Sequence, residues 1–439
     1  MNEIKSYIIT QNREYFSKNS EYIKLKNSEI KKLIKNGNII NAFLYEEEKN
    51  KLYGYYEIDL NNLNKKNNED FLYIKITDNY KRRRGIYYKL DKKYKDFSIY
   101  EIDNKTFLKL KNGLALLNEN ISQTFFSCQV ENDLEENDIF KYKAIETYPS
   151  LYIAEYTKKF DYQAYKSIYK EYLRLLKTSN SENDNSDKYI EIGSYLMNML
   201  IPEKEFRKHL LEGFRIVYLH LDEMTYNIPL EILAYDKKFI SEKIIFSYTN
   251  AVNILHNNNL KNNNKMAIIS IPDKNIKNDK NEIEIINSFK LNKDINIDLY
   301  RKEHNYFDFI KVLENYDIVH IITHGYSNGI KLSEDYILNS INALENPPSL
   351  IFINACNMEE NNNKLIQSLL SAGVRTVISG TGSLADGIYI DFIKSFYLNL
   401  FHKHTRINTA QAYYLAYLEI KEFYNGFMRY RFNGVPAYV

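Results

Sequence analysis

The spacing of apolar residues changes twice along the chain. Up to about residue 150, short aromatic and branched runs are separated at close intervals by Asn, Asp and Gly. Leu52-Tyr53-Gly54-Tyr55-Tyr56-Glu57-Ile58, Phe71-Leu72-Tyr73-Ile74-Lys75-Ile76 and Phe107-Leu108-Lys109-Leu110 are of this kind and predict strands. Ser28 to Lys35 reads as one short helix. From about residue 160 the period becomes helical, with Tyr165, Ile168, Tyr169, Tyr172, Leu173 and Leu176 on one stripe. An apolar-free run, Thr178 to Asp187, predicts a solvated loop, and a second amphipathic stretch through Ile192, Leu196, Met199 and Leu200 ends at Pro202.

Beyond Pro202, short apolar strands alternate with polar or helical stretches. The predicted strands are 215–219, 266–271, 295–299, 318–322, 350–353 and 374–378. Continuous apolar runs suit strands covered on both faces, hence a mostly parallel sheet flanked by helices in an α/β fold. Helices are predicted at 364–372, ended by Gly373, and at 391–402 and 408–423. Asn408 with Gln411 three residues on forms a capping box for the last helix. The Asn-rich stretch 256–265 reads as a surface loop. The organisation that follows is a β-rich domain over 1–155 and an α/β domain over 156–439.

Composition narrows the class. With 439 residues the chain can bury two or three cores, and its formal net charge of +2 gives no global field for nucleic acid or anionic membrane. Two cysteines, Cys128 and Cys356, are too few for a disulfide framework or a thiolate-rich zinc site. No apolar run reaches the roughly 18–20 residues that span a bilayer, and the first residues lack the apolar core of a signal peptide. These features point to a soluble cytoplasmic protein with free thiols.

Reactive residues gather at two strand ends. The strand at 318–322 runs into Thr323-His324-Gly325, and that at 350–353 runs into Asn354-Ala355-Cys356. If these strands are neighbours, about 4.8 Å apart, His324 and Cys356 project over one cleft at the carboxyl edge of the sheet. An imidazole near a thiol lowers its pKa, and the thiolate is the attacking species. The N–H groups of Gly325 and Cys356 can serve as an oxyanion hole. Cys128 reads as a packing residue. His320 lies about 13 Å from His324 on a strand, which excludes a shared metal and makes it a core histidine or a support for His324. His402 and His404 read as surface residues at a helix end, Ser327 as a turn residue, and Lys81 to Gly85 as a basic turn. No Gly-x-x-x-x-Gly-Lys-Ser/Thr phosphate loop is present.

The segment Tyr316 to Gly325 resembles the histidine motif of CHAT-domain proteases, caspase-like members of the cysteine peptidase clan that includes separase. Ile351 to Cys356 resembles their nucleophile motif, and Asn227-Ile228-Pro229-Leu230-Glu231-Ile232-Leu233 their upstream Pro-aromatic-Glu-Leu segment. Ser371 to Ile378 followed by Asp386, and Thr409-Ala410-Gln411-Ala412, match later segments, so the resemblance covers about 160–439. It implies a caspase-like fold and a cysteine endopeptidase with His324 as general base, Cys356 as nucleophile and no cofactor.

The resemblance further implies substrate-pocket roles for Asn354, Gly382 and Asp386. Asn354 is neutral where metacaspases are acidic, so a basic preference is not supported there. Gly380-Thr381-Gly382-Ser383 stands where the family usually places tryptophan, which this chain lacks entirely. Either the pocket wall is roomier or another aromatic fills it. Glu359 and Glu360 read as a solvated acidic loop. By the same resemblance the partners are a protein substrate, such as a pore-forming effector in bacterial antiviral defence or programmed cell death, and an activating protein. The 1–155 domain would gate the site or recruit that partner. The alternative reading is a catalytically silent interaction module, against which the retention of His324, Gly325 and Cys356 speaks.

Overall fold

Uninterrupted apolar strands need cover on both faces, and the larger sheet of this protein supplies it with helices. The computed structural model describes residues 6–11, 22–26, 39–46, 51–59, 63–64, 71–75, 88–89, 99–102, 122–132, 138–146, 151–178, 186–201, 203–211, 215–221, 228–249, 265–271, 279–290, 295–326, 329–355, 363–380, 388–401, 407–420 and 430–439. They divide into two units, Met1–Glu119 and Asn120–Val439.

The first unit holds strands β1 (Ser6–Gln11), β2 (Tyr22–Lys26), β3 (Ile39–Glu46), β4 (Lys51–Asp59), β5 (Leu63–Asn64), β6 (Phe71–Lys75), β7 (Tyr88–Lys89) and β8 (Ile99–Ile102). Five form a sheet in the order β7-β4-β3-β1-β8, and three form another, β2-β6-β5. Two of the three predicted strands here appear as β4 and β6. The third, at 107–110, the helix at 28–35 and the basic cluster at 81–85 lie outside the described residues.

The second unit begins with β9 (Ser122–Asn132), β10 (Asp138–Glu146) and β11 (Tyr152–Lys159). Helices α1 (Tyr162–Thr178), α2 (Ser186–Leu200) and α3 (Lys204–Leu211) follow, where the helical stripes predict the first two. Then come β12 (Arg215–Leu221), a short hairpin of β13 (Ala234–Tyr235) and β14 (Lys238–Phe239), β15 (Ile244–Thr249), β16 (Lys265–Ser270) and α4 (Asp279–Asn287). Next are β17 (Asn296–Tyr300), α5 (Tyr306–Asn315), β18 (Ile318–Ile322), β19 (Gly325–Tyr326), β20 (Gly329–Lys331) and β21 (Ile337–Leu338). The unit closes with β22 (Leu350–Asn354), α6 (Asn363–Ser371), β23 (Thr376–Gly380), α7 (Ile388–Leu400), α8 (Thr409–Ile420) and β24 (Tyr430–Gly434).

Eleven of these strands make one sheet in the order β11-β10-β9-β12-β15-β24-β23-β22-β18-β16-β17. Only the β11–β10, β10–β9 and β23–β24 pairings are antiparallel, so the sheet is mostly parallel, as the apolar runs predict. All six strands predicted beyond Pro202 are present. Two unpredicted strands, β15 and β24, fill the middle of the sheet. Strands β9 to β11, from residues 122–159, join it through the parallel pairing of β9 with β12.

One apolar cluster gathers Phe126, Phe140 and Tyr142 from β9 and β10 with Tyr165, Leu196 and Phe206 from α1 to α3. Another packs Phe309 and Leu313 of α5 and Leu369 of α6 against Ile321 and Ile351. The capping box forms as predicted, with Asn408 N–H donating to Gln411 Oε1 at 2.8 Å and Gln411 N–H to Asn408 Oδ1 at 2.9 Å.

Helix α2 can approach the Leu230–Ile232 turn because residue 193 is glycine. A Cβ on Gly193 would stand 1.8 Å from the Ile232 carbonyl oxygen. Gly193→Ala should therefore force the helix away and destabilise the unit by about 2–3 kcal/mol, despite a gain of about 1 kcal/mol in helix propensity. Urea denaturation tests this, and an unchanged midpoint would refute the close approach.

Candidate active site

Strand register decides which side chains meet. β18 and β22 are parallel neighbours, with Ile318 opposite Leu350 and Ile322 opposite Asn354. The pairing extends one residue further, since Thr323 N–H donates to the Asn354 carbonyl at 3.3 Å. His324 leaves the sheet directly after this point. Its own carbonyl accepts from Lys331 N–H at 2.9 Å, while Thr323 Oγ1 donates to the Lys331 carbonyl at 2.6 Å. Lys331 of β20 thus anchors both the Thr323 hydroxyl and the His324 carbonyl. Gly325 and His324 are half-buried, and Tyr326 beside them is 40% exposed.

On the neighbouring strand the described residues run through Asn354 to Ala355, both buried. Cys356 follows, and it lies outside the described residues, as do Gly382, Asp386, Ser327, Glu359, Glu360, His402 and His404. Cys128 lies on β9, in backbone register with Tyr142.

Asn354 turns its carboxamide inward. Its Nδ2 donates to Glu282 Oε2 at 2.8 Å, and its Oδ1 accepts from the Tyr430 hydroxyl at 3.2 Å. The second oxygen of Glu282 lies 2.5 Å from His320 Nε2, and His320 Nδ1 lies 2.9 Å from the Tyr397 hydroxyl. His320 is fully buried and stacks on Phe352, with ring centroids 4.9 Å apart. Burial, and secondarily the charge of Glu282, push the Tyr397 hydroxyl well above its usual range, so it keeps its proton. The tautomer that satisfies every group has His320 donating from Nε2 to Glu282 and accepting at Nδ1 from Tyr397.

The sequence places His320 in the core but does not single out Glu282. The available signal is its spacing: Glu282 lies three residues after Asp279 and four before Ile286, on the buried face of α4 that also holds Ile283. Glu231, from the Pro-Leu-Glu segment, is also buried, and accepts from Arg431 Nε of β24 at 2.6 Å. The Arg431 guanidinium lies over the Tyr248 ring at 4.5 Å, so that segment is tied to the two central strands β15 and β24.

His304 sits between β17 and α5, with its backbone N–H on the Leu332 carbonyl at 2.9 Å. It is 2% exposed, and neither ring nitrogen has a hydrogen-bond partner among the described residues. Burial, then the nearby Lys302 charge, lower its pKa against a weaker opposing pull from Asp308. The folded protein therefore holds the ring neutral while the unfolded chain takes up a proton near pH 6.5. Stability should fall as pH drops from about 6.5 toward 5, and His304→Phe should flatten that part of the curve. Urea midpoints measured against pH for both proteins check this, and identical slopes would contradict it.

Among the described residues, no group of three or more His, Cys, Asp or Glu is placed to hold a metal ion. No helix among them is long and apolar enough to cross a membrane. A family model described as CHAT domain matches residues 191–419, more than half of the chain. Two crystal structures of the Saccharomyces cerevisiae separase–securin complex are similar, each with a TM-score of 0.45, at 9% and 11% identity. The similarity covers 77% of this chain and 32% of the matched chain, so this protein spans about a third of that length. No curated protein sequence matches the chain.

Proposed function

The chain belongs to the CHAT domain family, and on that premise we propose that it is a cysteine endopeptidase working through His324 and Cys356. The observation that carries this reading is the register of β18 and β22, which sends His324 and the segment leading to Cys356 off adjacent strand ends at one edge of the sheet. His324 takes the thiol proton, and the Cys356 sulfur attacks the scissile carbonyl. The N–H groups of Gly325 and Cys356 stabilise the oxyanion. The C–N bond then breaks, with His324 returning the proton to the leaving amine. Water, activated by the same imidazole, hydrolyses the thioester.

The substrate is a protein segment, and the site is regulated by the N-terminal domain or by an activating partner protein. Gly382 and Asp386 line the pocket for the side chain before the cut, while the Asn354 carboxamide, engaged by Glu282 and Tyr430, supports the strand that leads to Cys356. Filling the wall by Gly382→Trp should narrow the accepted side chains, and an unchanged cleavage preference would sink that assignment.

Incubation with a mixed peptide library tests the proposal. The wild-type chain should give fragments that Cys356→Ala and His324→Ala do not, whereas equal cleavage by all three would remove the protease reading.

A further inference from the structure

One buried carboxylate touches both strands that carry the proposed dyad. Glu282 is 1% exposed, and its two oxygens are divided between His320 of β18 and Asn354 of β22. His320 stands four residues before His324, and Asn354 two before Cys356. Tyr397 of α7 and Tyr430 of β24 close the two ends, so five elements meet in one chain of hydrogen bonds below the strand ends.

Stability alone gives little reason for such a group, because a buried carboxylate is expensive to desolvate and apolar packing of the same volume is as good or better. What an acid does here that an apolar side chain cannot is accept two directed bonds at once. A Leu at this place would leave His320 Nε2 and Asn354 Nδ2 without acceptors and the two strands free to adjust separately.

We infer that Glu282 is a positioning residue: by bridging His320 and Asn354 it fixes the relative height of the strands bearing His324 and Cys356, and so the imidazole–thiol geometry. The inference rests on the dyad reading above and adds a residue to it. Glu282 touches neither the substrate nor the sulfur.

The readout that separates positioning from mere folding is the thiol itself. Iodoacetamide alkylation of Cys356, followed by peptide mass spectrometry across a pH series, reports the thiolate fraction without needing a substrate. In the wild-type chain half-maximal alkylation should fall at least about one pH unit below the free-thiol value of about 8.5. His324→Ala should move it up to that value.

Glu282→Ala, confirmed as cooperatively folded, should recover at least half of the His324→Ala displacement. Glu282→Gln should stay near wild type. Its carbonyl oxygen accepts from Asn354, and its amide N–H can donate to His320 Nε2 once His320 carries its proton on Nδ1 toward Tyr397. If Glu282→Ala does not fold, His320→Phe takes its place, since it keeps a ring on Phe352 while dropping both hydrogen bonds. It should be displaced as far.

A displaced profile for His324→Ala with wild-type profiles for Glu282→Ala and His320→Phe would overturn the positioning role and leave the dyad standing. A Glu282→Gln profile shifted as far as that of Glu282→Ala would also overturn it. If wild type alkylates like a free thiol and His324→Ala changes nothing, the dyad reading falls and the positioning role with it.

Discussion

Replacing Cys356 by alanine should lower turnover of a cleaved peptide at least about 10,000-fold, and His324→Ala should do nearly the same. Nucleophile and base act as one unit, so removing either forfeits the covalent route as completely as removing both. The double variant should therefore be no slower than Cys356→Ala alone. KM should change only a few-fold, because the peptide is held by surfaces away from the sulfur, and the loss belongs in kcat. Single-turnover kinetics on any peptide recovered from the library screen check this. A multiplicative double variant, or a loss confined to KM, would contradict a shared nucleophile–base role.

Arg215→Met should destabilise the second unit by about 3–5 kcal/mol, a larger loss than that expected for Gly193→Ala. Arg215 and Glu146 are 3% and 1% exposed, and pair across β12 and β10. The same Glu146 oxygen accepts from Thr124 of β9 at 2.9 Å and lies 3.0 Å from His209 Nε2 of α3. Arg215 Nη2 also donates to the His209 carbonyl at 2.8 Å. Loss of the guanidinium leaves a buried carboxylate without its strongest counterion, at the place where strands from residues 122–146 join the parallel sheet.

The reverse holds when both charges go. Glu146→Met with Arg215→Met should recover at least half of the loss, because two apolar side chains need no compensation. Urea unfolding of the two single variants and the double variant closes the cycle. Additive losses would show that the two charges do not act as a pair.

What the sequence reveals and what it hides follow from where polar groups are satisfied. Ile318 to Ile322 and Leu350 to Ile353 are legible as buried strands because nearly every side chain is apolar and no partner need be known. Tyr430-Arg431-Phe432-Asn433-Gly434 is not legible as a central strand. Its Arg431 is neutralised by Glu231, two hundred residues away, and its Asn433 amide donates to the Val377 carbonyl at 3.0 Å. β9 to β11 look like the short strands before them, and period alone cannot say that they pair with β12 rather than with their predecessors. The division of compact units at Glu119 and Asn120 is set by that long-range pairing.

The candidate site shows the same contrast. His324 and Cys356 stand out as candidates in sequence because each comes two residues after the end of an apolar strand. Glu282 and Tyr397 stay hidden because a carboxylate and a phenol look like surface and filler until His320 is seen between them. Asn354 carries both lessons. Its position two before Cys356 draws attention to it, while the direction of its carboxamide, toward Glu282 and Tyr430, depends on residues from two other elements.

The most direct test is the mass of the Cys356-containing peptide when cleavage is stopped by acid during the first turnover. A His324–Cys356 dyad should leave a thioester that adds to Cys356 the mass of the amino-side product fragment less one water, absent from Cys356→Ala and strongly reduced in His324→Ala. Cleavage that proceeds with Cys356 always unmodified, or with the acyl group on another residue, would contradict the dyad.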